Sequence, residues 1–325
     1  MTDITILTAG DIHVSDINPR SRKDNFKETI LGKLEQLRSA ANKLKADAVL
    51  LTGDIYNIKF PVKNSHDLNR ELIELFKKFK CPVFAIPGNH DLTADDLDTL
   101  PEQPLSVLFA SGYLKNLSHE ILAKKDLKVS LVGIPFTKHL DLKTLKIPPK
   151  EGVTAQICLM HTYAGPVAGK VFKERLYGYN ELAELSPDIF VLGHYHLDQG
   201  IQKVNGKFFV NLGSISRGTL TDESLDHKPK FGFIRITAEK ESIPTIVVDS
   251  IPLTIKPAEE VFDVKKRDDE KKEGLEIQKY VEHLVAEATA ADTKKLTFED
   301  HMKGMNLEKE VYDMVLELIQ EASVK

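Results

Sequence analysis

The sequence predicts an α/β protein in which two β-sheets face each other and helices pack outside. Three observations carry that expectation: strand-like and helix-like patterns alternate in the first half, strands crowd the second half, and the composition turns Lys- and Glu-rich beyond about Pro257. In the first half Ile4–Ala9 reads as a short apolar strand. Phe26, Ile30, Leu31, Leu34, Leu37, Ala41 and Leu44 then recur at helical spacing. The apolar strand Ala48-Val49-Leu50-Leu51 completes a βαβ unit. A second amphipathic helix, marked by Leu68, Leu72, Ile73, Phe76 and Phe79, leads to a strand over Pro82–Ile86, so the early strands should lie parallel under covering helices. The second half supplies strands at Val129–Val132, Gln156–Met160, Asp188–Leu192, Lys207–Asn211, Phe231–Ile236 and Thr245–Val248. Two facing sheets are the simplest arrangement of so many.

Residues 1–256 are therefore expected to form one catalytic domain and 257–325 a helical C-terminal module. Val264–Gly274 is nearly all charge, as in a linker or an exposed helical turn. Leu275, Val281, Leu284 and Val285 suggest one amphipathic helix. Leu307, Val311, Met314, Val315, Leu318 and Ile319 form the apolar stripe of another. Such stripes pack back on the parent domain or dock a partner helix or coiled coil.

Composition narrows the function classes. The 325 residues are 42% hydrophobic and 29% charged, the profile of a soluble globular protein, and no apolar run approaches the roughly 20 residues that span a bilayer. The start of the sequence runs from Met1 straight into Ile4-Thr5-Ile6-Leu7 without a basic leader, so a cytoplasmic protein is expected. Cys81 and Cys158 each border an apolar stretch and read as reduced core thiols. A formal net charge of −5 tells against coating nucleic acid by charge alone, which leaves local patches or a partner to make any DNA contact.

The chemistry lies in five short clusters, each directly after an apolar run: Asp11-Ile12-His13, Gly53-Asp54, Gly88-Asn89-His90-Asp91, His161, and Gly193-His194-Tyr195-His196. In α/β folds ligands bind outside the carboxyl ends of the strands, so clusters scattered through the sequence can converge there. Carboxylates, imidazoles and one amide suit borderline ions such as manganese, iron, zinc or cobalt better than calcium or magnesium. Asp54 is the natural bridging ligand, since one carboxylate can bind two cations. The glycines before Asp54, Asn89 and His194 are expected to let the backbone turn sharply. Two such metals, roughly 3.5–4 Å apart, would activate water for in-line displacement at phosphorus, which is hydrolysis of a phosphate ester. His90 would then protonate the leaving oxygen, and Asp91 would orient its imidazole.

At these residues the sequence resembles the calcineurin-like metallophosphoesterase superfamily, whose ordered signature is D-x-H, G-D, G-N-H-D/E, H and G-H-x-H. The resemblance implies an αββα sandwich and two divalent ions, manganese foremost, with magnesium, iron, zinc or cobalt as alternatives. It assigns Asp11, His13, Asp54 and His196 to one ion, and Asp54, Asn89, His161 and His194 to the other. It makes His90 the catalytic histidine. Within the superfamily, Ile6–His13, the helix that follows and the spacing Ala48–Tyr56 are most similar to SbcD-type DNA-repair nucleases in their short phage and bacterial form, over roughly residues 3 to 255. That similarity implies DNA as substrate, exonuclease action with some single-strand endonuclease activity, and a coiled-coil ATPase of the SbcC type as partner, with a reduced cap, or none, in 257–325 and the Leu275–Val285 and Leu307–Ile319 helices as the ATPase-binding module. It also implies a dimer, for which the helix over Asp67–Phe79 could serve.

Two features depart from the nuclease pattern. Asn57 stands where many such nucleases have a second histidine, and Asn211-Leu212-Gly213-Ser214 resembles the N-P-G-S turn of small phosphodiesterases. A stand-alone phosphodiesterase or phosphatase acting on a small substrate is thus the alternative, with the stretch Thr162–Leu182, rich in glycine and tyrosine, as the candidate lid. Asn57, Ser214 and Arg217 are candidate phosphate contacts, and Arg20, Arg22, Lys23, Lys138, Lys143, Lys146 and Lys150 could flank the cleft.

Overall fold

Strands buried on both faces read as near-continuous apolar runs, and β1 (Thr2–Ala9) is such a strand. Its period of two sends Ile4 and Ile6 into one apolar layer and Leu7 and Ala9 into another. The computed structural model of the protein describes residues 2–171, 174–218, 220–238 and 244–265. The chain divides into two units, Met1–Phe262 and Asp263–Lys325, and the described strands and helices all belong to the first. The stripes at Leu275–Val285 and Leu307–Ile319 lie outside the described residues.

Helix α1 (Phe26–Leu44) starts where the Asn25 side chain accepts the Glu28 N–H, and it ends at Lys45, whose left-handed backbone (φ 52°) returns its N–H to Ala41 and Asn42. After β2 (Ala48–Leu51), helix α2 (His66–Phe76) is capped by Ser65 and leads to β3 (Val83–Ala85). Then come α3 (Pro104–Ala110), β4 (Leu114–Asn116), β5 (His119–Lys124), β6 (Leu127–Ile134) and β7 (Ala155–His161). Short strands β8 (Ala164–Gly165), β9 (Gly169–Val171) and β10 (Glu174–Gly178) precede α4 (Tyr179–Leu182) and β11 (Ile189–Gly193). The unit closes with β12 (Gly200–Val204), β13 (Lys207–Asn211), α5 (Asp222–Asp226), β14 (Lys230–Ala238), β15 (Thr245–Pro252) and α6 (Ala258–Val261).

These strands make two six-stranded mixed sheets, ordered β15-β14-β1-β2-β3-β4 and β12-β13-β11-β7-β6-β5, and a three-stranded sheet ordered β8-β10-β9. In the first, β1 to β4 run parallel as expected from the βαβ start. In the second, β6, β7, β11 and β13 are parallel, and β5 and β12 flank them antiparallel. Between the sheets Ile6, Leu50 and Phe84 meet Leu131, Leu159 and Val191 in one apolar layer. Outside the first sheet α1, α2 and α3 cover Val49, Leu51 and Ala85. Outside the second, Tyr177, Tyr179 and Leu182 cover Cys158, Met160 and Phe190. The result is the αββα sandwich.

Strands β4, β5, β12 and the small hairpin escape the sequence reading. Strand β5 shows why: five of its six residues are exposed, so His119–Lys124 carries no apolar alternation and is held as an edge strand by its ladder to β6. Cys158 is buried and Cys81 half-buried, and both are free thiols.

On the outer face of the second sheet Phe209 is stacked between Phe190 (centroids 5.0 Å apart) and Tyr179 (4.5 Å) and is fully buried. Phe209→Ala should lower the unfolding free energy by about 3–5 kcal/mol in urea titrations. Val62→Ala, at a residue 94% exposed, should stay within about 0.5 kcal/mol of the parent.

Candidate metal centre

Strand register brings the predicted clusters to one edge of the sandwich. Ala9 lies opposite Leu51 and Leu51 opposite Ala85, so the loops bearing Asp11 and His13, Asp54, and Asn89 leave the first sheet at one height. In the second sheet His161 pairs with Gly193, which puts it level with His194 and His196. Both sheets present carboxyl ends to the same edge, the place where α/β sheets bind ligands.

Asp11, His13, Asp54 and His196 each offer a ligand atom within 4.8 Å of the others, and so do Asp54, His161 and His194, with Asp54 common to both groups. His13 Nε2 lies 3.0 Å from His196 Nε2 and 3.5 Å from Asp54 Oδ2, while His161 Nε2 lies 3.4 Å from Asp54 Oδ2 and 3.1 Å from Asn89 Oδ1. All seven predicted ligands therefore converge. The two carboxylates are wired alike. Asp11 Oδ1 accepts the His194 backbone N–H (2.9 Å), and Asp54 Oδ1 accepts that of His90 (2.8 Å). Their other oxygens, Asp11 Oδ2 and Asp54 Oδ2, are buried without a hydrogen-bond partner. A buried carboxylate oxygen left bare among imidazoles is costly unless a cation meets it, so the donor set fits two divalent ions.

The electrostatics agree with that fit. Burial opposes charge on Asp54, yet His161 and His13 hold its carboxyl well below the ordinary range. Burial likewise opposes charge on His161, but Asp54 and Asp11 raise it to about 9. Burial, then His161, drives His194 down to about 3, and burial drives His13 well below its usual value. The two carboxylates thus favour positive charge beside them, on His161, while burial keeps His13 and His194 in the neutral form that binds cations. The His161 Nδ1–H donates to the Thr52 carbonyl (2.6 Å), which orients the ring so that Nε2 faces Asp54 and would be the nitrogen to bind an ion.

The glycines serve a different purpose from the expected one at two of three positions. Gly53 has a positive φ (99°), but Gly88 has φ −97° and Gly193 is not left-handed. Space is their reason: a Cβ on Gly88 would sit 2.2 Å from Asp54 Oδ1, and one on Gly193 2.4 Å from Thr52 Oγ1. The left-handed residues are the predicted ligands themselves, Asp11, His13, Asp54 and His194, at φ 49°, 52°, 50° and 83°. Non-glycine residues seldom adopt that region, and strain of this kind gathers at functional sites.

His90 stands beside the first group, its ring centroid 4.7 Å from that of His13. Its orientation corrects one expectation. Asp91 does not reach the His90 ring. Asp91 is buried and accepts the backbone N–H groups of Gly88, Ile55 and Tyr56, so it fixes the loop instead. Burial and then Asp54 push its carboxyl up to about 7. His90 Nδ1 bonds to the Asn57 carbonyl (2.8 Å), so Asn57 acts through its main chain where a phosphate contact was expected.

Ser214 and Arg217 are also corrected. The buried Ser214 hydroxyl donates to the Asp11 carbonyl (2.7 Å) and accepts the Ser216 N–H, which commits it to holding the Asp11 turn. Arg217 is buried over the Phe262 ring and donates to the carbonyls of Ser224 and Lys256, away from the centre. Of the residues expected to flank the cleft, Arg22 pairs with Asp24, Lys23 donates to the Glu259 carbonyl and Lys150 pairs with Asp188. Arg20, Lys138, Lys143 and Lys146 are exposed. His227 bonds to the Ser214 carbonyl (2.7 Å).

Three participants escape the sequence reading. The Thr52 carbonyl is main chain and carries no side-chain signal. Glu174, at the start of β10, places Oε2 3.2 Å from His194 Nε2, and Phe136 packs its ring 5.2 Å from that of His194. Tyr163, already singled out in the Thr162–Leu182 stretch, lies 4.0 Å from the His194 ring.

Comparison with known proteins finds relatives in sequence and likenesses in fold. The chain is 23% identical over 216 residues to a probable cyclic nucleotide phosphodiesterase of Coxiella burnetii, covering 61% of this chain and 78% of that protein. It is 24% identical over 317 residues to the DNA double-strand break repair protein Mre11 of Archaeoglobus fulgidus, covering 86% and 68%. A dimetal phosphatase from Danio rerio aligns with a TM-score of 0.46 at 12% identity, over 78% of this chain and 99% of that one. The model of the calcineurin-like phosphoesterase family matches residues 4–198, more than half of the chain and all seven predicted ligands, from Asp11 to His196. With both halves of the paired-carboxylate centre inside that match, the chain belongs to the calcineurin-like phosphoesterase family.

Proposed function

We propose that this metal-dependent phosphoesterase is a manganese-favouring DNA nuclease that acts as the catalytic partner of a coiled-coil ATPase. The observation that carries this reading is the extent of the match to the archaeal repair protein. At 86% of the chain it must run past Phe262, beyond the sandwich, whereas the match to the cyclic nucleotide phosphodiesterase covers 61%. An open rim supports it: His196 is exposed, Asn89 and His90 are partly so, and exposed Phe60 and Val62 lie in the loop after Asn57. Residues 257–325, with the stripe from Leu307 to Ile319, are the proposed ATPase-docking module.

Asp11, His13, Asp54 and His196 would hold one ion, and Asp54, Asn89, His161 and His194 the other. When bound, the pair supplies Lewis acidity to a phosphoryl oxygen and to the attacking water. His90, its Nδ1 tied to the Asn57 carbonyl, presents Nε2 to give a proton to the leaving oxygen. Asp91 and Ser214 keep the His90 and Asp11 turns in place.

A second reading, a stand-alone phosphodiesterase for a small substrate, is favoured by the hairpin of β9 and β10. Its Glu174, together with Tyr163, narrows the centre on the His194 side.

Asp54→Asn should reduce hydrolysis of a bis-aryl phosphodiester to background and lower bound manganese below two per chain by elemental analysis. His90→Asn should keep both ions and lose roughly 10²–10⁴-fold in turnover. The purified chain with manganese should cleave linear double-stranded or single-stranded DNA, with His90→Asn as the contamination control. Cleavage of the bis-aryl ester alone would favour the small-substrate reading. Deleting Glu273–Lys325 should abolish co-purification with a coiled-coil ATPase and spare ester hydrolysis, and retained ATPase binding would remove the docking role.

A further inference from the structure

A second concentration of charge lies away from the metal centre, on the far side of the loop that holds the Asp11 turn. A cavity of about 300 Å³ is walled by the start of α1, by Arg217 and by the segment Thr254–Val261. Arg22, Lys33 and Arg217 line it and are 7%, 4% and 5% exposed. Cations that deep are expensive unless paired. Arg22 has its partner, since Nε and one terminal nitrogen each donate to Asp24 at 2.7 Å. Lys33 and Arg217 do not form an ion pair with any carboxylate among the described residues. Lys33 donates to the Ile215 and Ser216 carbonyls (2.5 and 3.0 Å), and Arg217 to those of Ser224 and Lys256 (3.0 and 3.2 Å). Carbonyls satisfy N–H groups but bring no countercharge.

We propose that this cavity is a phosphate-binding site, in which Lys33, Arg217 and Arg22 receive inorganic phosphate or the phosphate of a small monoester. An ammonium has three donors and a guanidinium five, so two carbonyl bonds apiece leave Lys33 and Arg217 donors for a ligand. The Phe262 ring lies against both guanidinium groups (5.1 and 5.5 Å), and guanidinium forks suit a phosphate's oxygens. Asn25 and Thr29 bring the N-terminal turn of the 19-residue α1 to the same cavity, where the helix dipole favours an anion. Burial, then Arg22 and Arg217, push the Lys33 ammonium down to about 7, and an anion in the cavity would favour its charged form. The one acid on the lining, Glu28, is exposed at the rim. The volume admits phosphate with a small organic substituent. The proposal holds whichever substrate the metal centre takes.

Calorimetric titration of the manganese-loaded 325-residue chain with inorganic phosphate, and separately with AMP, tests it. Two classes of phosphate site are expected, one lost in Asp54→Asn and the other in Lys33→Met, whose affinity should fall roughly tenfold or more. Lys256→Gln, at an exposed lining residue, should weaken the same class several-fold without threatening the fold. Lys33→Arg should restore it. Tighter binding of AMP than of phosphate would identify a monoester as the ligand, and equal binding free phosphate. If Asp54→Asn binds neither probe, or if Lys33→Met and Lys256→Gln titrate as the parent does, the site does not exist.

Discussion

The centre depends on the divided use of two carboxylates. Asp54 spends one oxygen on the His90 backbone N–H and keeps the other bare between His13 and His161. Asp11 repeats the arrangement with the His194 N–H. Each bond from a carboxylate to a neighbouring loop fixes where that loop starts, and thereby where its own side chains point. The same pair of acids thus assembles the site and supplies the bare oxygens that call for cations.

That wiring works only because the two sheets are held at a fixed offset. Asp11, His13, Asp54 and Asn89 leave the first sheet, and His161, His194 and His196 leave the second. The apolar layer between them, from Ile6 and Leu50 to Leu159 and Val191, has no polar function, yet its thickness sets the distance across the centre. Close-packed interiors resist compression, so the ligand spacing is inherited from aliphatic packing. The glycines belong to the same constraint, because Gly88 and Gly193 let backbone pass where a single added carbon would collide with Asp54 or Thr52.

The sequence made the ligand set legible because each ligand is a side chain of distinctive type at the end of an apolar run. The sandwich was legible for a related reason: strands such as Ala48–Leu51 and Lys207–Asn211 have buried faces and carry the pattern burial imposes. What lacked a pattern was missed. Edge strand β5 owes its form to hydrogen bonds with β6 and not to side-chain burial. The groups that orient the histidines, the Thr52 and Asn57 carbonyls, are main chain and have no residue signature. Asp91 and Arg217 were given site roles because acids and arginines near a phosphate-handling motif invite them. Burial decided otherwise, turning one carboxylate onto three backbone amides and one guanidinium onto an aromatic ring. Lys33 is the instructive oversight. Its position, seven residues after Phe26 and three after Ile30, put it on the apolar face of α1 from the start.

The left-handed ligands have an energetic consequence. Asp11, His13, Asp54 and His194 each hold a conformation that costs an ordinary residue about 1–3 kcal/mol, and glycine or asparagine would tolerate it better. Replacing any of the four by glycine would relieve the backbone while removing a ligand, so stability and metal binding would move in opposite directions. At these four positions the side chain that the centre needs and the conformation that the backbone prefers are opposed, and the fold holds the former.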